Sequence, residues 1–185
     1  MMIDEAIENY SREHFAPDYL KAQAYLDMPL PIGHDQTISQ PTTVKRMLAW
    51  LDVRPGQKIL DVGSGSGWTT ALLSRLVGEK GEVHAVELVP ELVAFGRTNC
   101  EKLGIKNVTF YQAGETIGLP DQAPFDRILV SAAASRMPKQ LIDQLSTDGK
   151  LVVPVNDDII EYHKHADEPP AVITHHGYRF VPLIT

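Results

Sequence analysis

The sequence predicts an α/β fold: a doubly wound, mostly parallel sheet with helices on both faces and an antiparallel C-terminal edge. Three observations predict it. Between residues 58 and 155, short apolar runs alternate with amphipathic stretches, the rhythm of successive β–α–β units. A glycine-rich turn, Gly63-Ser64-Gly65-Ser66-Gly67, joins the first apolar run to the first amphipathic one. After Val155 the helical pattern stops and three short β-rich stretches follow, which suits antiparallel strands at a sheet edge.

Ile3, Ile7 and Tyr10 recur at helical spacing, so an amphipathic helix is expected from Ile3 to about Phe15. Pro17, Pro29 and Pro31 then break regular structure. Helix resumes at Pro41, a residue suited to a first turn, with Val44, Met47, Leu48 and Leu51 as its apolar face. Arg54-Pro55-Gly56 is a turn. Strands are expected at 58–62, 83–87, 108–112, 125–130 and 150–155, and helices at 69–77, 90–103 and 138–145. Pro90 opens the second of these helices and Gly104 follows its end. Thr147-Asp148-Gly149 closes the third. Short strands are expected in 159–165, 171–176 and 178–184. No repeat or linker interrupts the chain, so one domain is expected over 1–185. It comprises an N-terminal helical substrate segment (1–50), a cofactor-binding core (51–155) and C-terminal strands (156–185).

Composition narrows the function. The 185 residues are 43% hydrophobic and 22% charged, with a net charge of -7 and no Lys/Arg run. That opposes a nonspecific grip on nucleic acid, which needs clustered cations against phosphates. Cys100 is the only cysteine, so no intrachain disulfide forms, as in a reducing compartment. Its place on the 90–103 helix makes it a small packing residue rather than a nucleophile. The N-terminus has no continuous apolar stretch of signal-peptide type, and no apolar run reaches membrane-spanning length. A cytoplasmic monomer that binds neither nucleic acid nor membrane is expected.

The glycine turn carries the functional signal. Glycines let backbone approach a ligand, and a helix N-terminus offers its amides. The spacing is G-x-G-x-G, not the dinucleotide pattern G-x-G-x-x-G, and the turn lacks the lysine of a phosphate-binding loop. Asp61 stands two residues before Gly63, where a carboxylate repels a pyrophosphate and attracts a cation. Glu87 ends the second strand, 20 residues after Gly67, where an acid accepts hydrogen bonds from ribose hydroxyls. Two acids without a phosphate holder describe S-adenosylmethionine. A tight turn with no ligand is the plainer alternative. A nicotinamide dehydrogenase is disfavoured by the glycine spacing and Asp61.

From about Phe15 to Leu183 the chain resembles the protein-L-isoaspartate O-methyltransferases, within the class I S-adenosylmethionine-dependent methyltransferases and their Rossmann-like fold. The stretch AYLDMPLPIGHDQTISQP (24–41) is similar to the family's segment before its first motif, TISQP being the most specific part. ILDVGSGSGWTTALLSRLVG (59–78) looks like motif I, and VHAVELVPELV (83–93) resembles the ribose-binding stretch. APFDRILVSAAASRMPKQLIDQLSTDGKLVVPV (123–155) and YRFVPLI (178–184) resemble the later strands.

The resemblance implies methyl transfer from S-adenosylmethionine to the free carboxyl of L-isoaspartyl residues in damaged proteins or peptides, leaving S-adenosylhomocysteine. It places Ser39 and Thr37 at the transfer site. It assigns to the cofactor Gln36, Thr37, Ile38, Ser39, Asp61, Gly63, Ser64, Gly65, Ser66, Gly67, Glu87, Leu88, Gly114 and Glu115. Ser39 also suits the N-cap of the helix at Pro41. Relatives usually carry G-D-G after the third strand, whereas this chain reads Ala113-Gly114-Glu115. Another carboxylate or small-molecule acceptor, or a cofactor-binding homologue without turnover, are the alternatives. Ser131–Arg136, at the fourth strand's end, suits either a ligand-facing loop or a packing turn. Trp68 suits cofactor contact or core. His34 reads as a surface-loop residue. His163, His165, His175 and His176 fall in short C-terminal strands without a Cys or carboxylate cluster at ligand spacing, so they read as solvated or edge-strand histidines and no metal site is expected.

Overall fold

The computed structural model describes residues 2–184. Helix α1 (Met2–Asn9) leads through two 3-10 turns to a hairpin of β1 (Leu30–Gly33) and β2 (Gln36–Ile38), then α2 (Pro41–Leu51). The alternating part follows: β3 (Lys58–Val62), α3 (Trp68–Val77), β4 (Glu82–Glu87), α4 (Pro90–Lys102), β5 (Val108–Gln112), β6 (Phe125–Val130), α5 (Lys139–Asp143) and β7 (Leu145–Val155). Strands β8 (Asp158–His163) and β9 (Ala171–His176) close it.

Seven strands form one sheet in the order β5-β4-β3-β6-β7-β8-β9. The pairings from β5 to β7 are parallel, and β8 and β9 are antiparallel. The chain moves from β3 outward to β5, then returns to β3's other side at β6. Ligands of open α/β sheets bind outside the carboxyl ends of strands at such a switch point. Val62 is level with Val86 on one side and Val130 on the other, so the glycine turn, Glu87 and Ser131 emerge side by side.

Alternation within each strand divides the core. Ile59, Leu129 and Val152 face helices α1–α4, meeting Leu48, Leu51, Leu72 and Leu73. Leu60, Val62, Ile128, Val130 and Leu151 face the other way, toward Leu141 of α5 and Ile117 and Leu119 of the preceding loop. Helices therefore lie on both faces, but one face is covered by a single short helix and loop. Among the described residues no helix is long and apolar enough to cross a membrane.

Five expectations are corrected. The N-terminal helix ends at Asn9, and Arg12–Phe15 is a 3-10 turn. The proline-rich stretch contains a hairpin, because Gly33, His34 and Asp35 all adopt left-handed φ at its turn and Pro31 lies in a two-stranded ribbon where its missing N–H is tolerated. Helix α5 spans only 139–143, and β7 starts at Leu145. Thr147-Asp148-Gly149 is an irregularity inside that strand rather than a helix stop: the register jumps from Phe125↔Leu145 to Arg127↔Lys150, with Asp148 at φ 60°. Residues 178–184 form no strand; Pro182 makes an isolated bridge to Ala133, beyond the end of β6.

Arg12 organises the N-terminal segment. Its buried guanidinium donates to the carbonyls of Leu26 (3.0 Å), Met28 (2.7 Å) and Ile38 (3.1 Å). Burial lowers its pKa to about 10, still charged at neutral pH. One side chain thus fixes the chain before β1 and the end of β2, beside Ser39. Arg12→Ala leaves four carbonyls without this donor, that of Ala24 (3.4 Å) included. Urea unfolding is expected to show a loss of about 3 kcal/mol; a loss below about 1 kcal/mol contradicts this organising role.

Candidate active site

The glycine turn is shaped by two contacts. The N–H groups of Gly63 and Ser64 both donate to the carbonyl of Val86 (2.8 and 3.1 Å), tying the turn to β4. Gly67 precedes α3 at φ 88°, and a Cβ there would lie 3.0 Å from the Gly96 carbonyl oxygen and 3.1 Å from its Cα. Backbone of α4 cannot yield, so residue 67 is glycine for both conformation and space. Asn99 donates from the same helix to the Ser66 carbonyl at 3.0 Å.

Glu87 is buried at the end of β4. Its Oε2 accepts from the Gly65 N–H at 2.8 Å and its Oε1 from the Val89 N–H at 3.0 Å. One carboxylate therefore joins the turn to the start of α4. A carboxylate offers about four lone-pair positions, so two remain for hydroxyls of a ligand.

Asp61 is fully buried beneath the turn and accepts a 2.6 Å hydrogen bond from Thr70 Oγ1. Its Oδ1 and the Ser64 hydroxyl are buried without a hydrogen-bond partner. Burial first, and the charge of Glu87 second, push its pKa up to about 7 against the pull of the Thr70 bond. Burial, with Asp61 and Glu101 nearby, also pushes the Cys100 thiol up to about 12, which removes it as a nucleophile.

Two cavities meet at this edge. The first, about 230 Å³, is lined by Gly63, Gly65, Glu87, Leu88, Gly114 and Glu115 from the expected set, and by Gln36, Thr37 and His34 from the hairpin. The second, about 610 Å³, is lined by Ser39, Gln40, Arg46 and Tyr178–Val181. Thr37, Ser131 and Val181 line both and form the partition. The Ser131 N–H bonds to the Val62 carbonyl at 2.9 Å, which fixes the partition to β3. Residues 181–183 are strapped across the edge: Ala133 N–H donates to the Val181 carbonyl (2.7 Å) and Leu183 N–H to the Ala133 carbonyl (2.8 Å).

Other expected site residues lie apart. Asp61, Ser64, Ser66 and Gly67 support the turn from behind and line neither cavity. Ile38 points into the core. Trp68 is a core residue whose indole donates to the Tyr10 carbonyl at 2.9 Å. The N-cap of α2 is Gln40 rather than Ser39. Asp27 caps that helix from a distance, accepting from the Thr42 N–H (2.9 Å) and hydroxyl (2.8 Å); these bonds hold its carboxyl below the usual range. Sequence reading had no signal for Asp27 or Arg12, because both act across chain reversals. His34 is a turn residue, as expected, yet lines the first cavity.

A family model described as Protein-L-isoaspartate(D-aspartate) O-methyltransferase matches residues 1–185. The chain belongs to this family. A protein-L-isoaspartate O-methyltransferase of Aeropyrum pernix is 49% identical over 152 residues, 82% of this chain and 58% of that one. One from Methanocella arvoryzae is 42% identical over 180 residues, 96% of both chains. A solved protein-L-isoaspartate O-methyltransferase superposes with a TM-score of 0.89 at 28% identity, covering all of this chain and 61% of that one. A solved Plasmodium falciparum member, in complex with S-adenosyl-L-homocysteine, gives 0.82 at 25% identity, over 99% of this chain and 90% of that one. The chain thus spans about three fifths of the Aeropyrum relative and of the first solved chain, and nearly all of the Methanocella relative. This family of S-adenosylmethionine-dependent enzymes shares the sheet described above.

Asp61 makes the chain's stability depend on pH in a defined direction. In the folded chain its carboxyl keeps a proton up to about pH 7, against an ordinary value of 3.8. The folded state holds the extra proton between these values, so Asp61's contribution is present below about pH 4 and is lost as pH rises through 7. Asp61→Asn cannot ionise. From pH 4 to pH 8 its unfolding free energy is expected to gain on the wild type by on the order of 4 kcal/mol. A difference that stays constant with pH contradicts a buried, protonated Asp61.

Proposed function

We propose that this chain methylates the free carboxyl of L-isoaspartyl residues in peptides and damaged proteins, using S-adenosylmethionine. The observation that carries the reading is the pair of adjoining cavities with Thr37, Ser131 and Val181 between them. The donor cavity fits the cofactor. Glu87 has lone pairs left for ribose hydroxyls, and the partnerless Asp61 Oδ1 beneath the turn suits a cationic ligand above it. Gly114 and Glu115 line the same cavity. When bound there, S-adenosylmethionine supplies a methyl group on a positively charged sulfur.

The chain's own task is placement. A substrate carboxylate is ionised at neutral pH, so no general base is needed. The acceptor cavity holds the substrate at Ser39, and the Ser39 and Thr37 hydroxyls orient its carboxylate by donating hydrogen bonds. The strap at 181–183 and the partition exclude water from the contact between the two ligands. Holding the carboxylate in line and partly desolvated is the catalytic contribution. We further propose a cytoplasmic monomer that binds neither nucleic acid nor membrane; the net charge of -7 and the single, buried cysteine support this.

The direct test is transfer of radiolabel from methyl-labelled cofactor to an isoaspartyl peptide and to its aspartyl twin. Label is expected only in the isoaspartyl peptide, with release in mild base marking an ester. Equal labelling of the twins, or none, overturns the reading. Ser39→Ala is expected to lower kcat/KM for the peptide by roughly 10- to 100-fold while leaving S-adenosylhomocysteine affinity unchanged in calorimetry. A fall in nucleotide affinity instead would place Ser39 on the donor side.

A further inference from the structure

We propose that Asp148, His163 and His165 form a binding site for a divalent metal ion of the zinc class, at the hairpin end of the sheet. None of the three lines the donor or the acceptor cavity. One ligand atom from each, a ring nitrogen from both histidines and a carboxylate oxygen, lies within 4.8 Å of the other two. Zinc binds imidazole nitrogen and carboxylate oxygen at about 2.0–2.2 Å, which sets ligand atoms roughly 3.4 Å apart in a tetrahedral site. Binding an ion draws the three ligand atoms, now within 4.8 Å of one another, closer together. Two imidazoles and one carboxylate select a borderline ion over Ca²⁺ or Mg²⁺, which prefer all-oxygen shells.

The fold holds the three side chains together although the sequence separates them. Asp148 stands in the irregularity of β7 with left-handed φ. The antiparallel register puts His163 opposite Lys150, two residues further on. The Lys164 N–H donates to the Gly149 carbonyl at 2.9 Å, clamping the two backbones beside the cluster. His165 follows, with its ring 4.1 Å from that of His163 and its Nδ1 3.8 Å from Asp148 Oδ1. The neighbouring ammonium groups are turned to other partners: Lys150 to Asp52 at 3.6 Å and Lys164 to the Leu145 carbonyl at 2.9 Å. The Asp148 side chain is 67% exposed, so a bound ion keeps water in its open positions. An ion here staples the chain leaving β8, at the start of the β8–β9 connection, to β7.

The test is titration of the tag-free full chain, freed of metal by chelator dialysis, with Zn²⁺ alone. Calorimetry is expected to give one ion per chain with micromolar or tighter affinity, and Co²⁺ in its place to give the visible absorption of a low-coordinate site. His163→Gln and His165→Gln should each weaken binding at least about tenfold, and so should Asp148→Asn, which preserves the left-handed backbone. His175→Gln, on the same hairpin but bonded to Glu161, should bind as the wild type does. Absence of stoichiometric binding overturns the proposal. So does binding that survives the paired His163→Gln and His165→Gln change, or that is lost in His175→Gln.

Discussion

The site depends on one interaction, the two-sided hold on the Glu87 carboxylate. One oxygen takes the Gly65 N–H and the other the Val89 N–H. The first bond fixes the middle of the glycine turn, and the second fixes the chain where α4 begins. A charge-assisted bond to a buried carboxylate is among the stronger hydrogen bonds a protein makes. Without it nothing ties the middle of the turn, Gly65, to β4; the Val86 carbonyl, the Asn99 amide on Ser66 and the close approach to Gly96 hold only its two ends. The same carboxylate faces the donor cavity, so the bonds that shape the turn also orient the group proposed to receive the ribose.

The second acid plays a different part. Asp61 lies level with Ala85 and Leu129 in the sheet centre, one residue short of the turn. It bonds to Thr70 in the first turns of α3 and contacts no cavity. Its burial near Glu87 makes its charged form costly. A cation above the turn offsets that cost, whereas a pyrophosphate adds to it. The proposed preference for a sulfonium nucleoside over a dinucleotide therefore rests on charge beneath the loop as much as on contact in the pocket.

Much of this was legible in the sequence, because the signals are local. Gly63, Gly65 and Gly67 follow an apolar strand and precede an amphipathic helix, and Glu87 falls at the end of the next strand. What escaped is non-local. Arg12 reaches Ile38 across 26 residues and Asp27 caps α2 from 15 residues away, and no spacing rule marks either. The hairpin was hidden by Pro29 and Pro31, which normally argue against strands. Val181–Leu183 reads as a strand because it is apolar and extended, yet it finds its partner at Ala133, beyond the sheet edge. Asp148, His163 and His165 come together only through the antiparallel register of β7 and β8.

Calorimetric titration of S-adenosylhomocysteine into the wild type and Glu87→Gln tests the central claim most directly. The glutamine amide presents N–H groups toward one of the two backbone donors that a carboxylate satisfies together. The account predicts a folded variant whose affinity falls by roughly 30-fold or more. A folded variant that binds within about threefold of the wild type would contradict it, since neither the turn nor the ribose contact would then rest on this carboxylate.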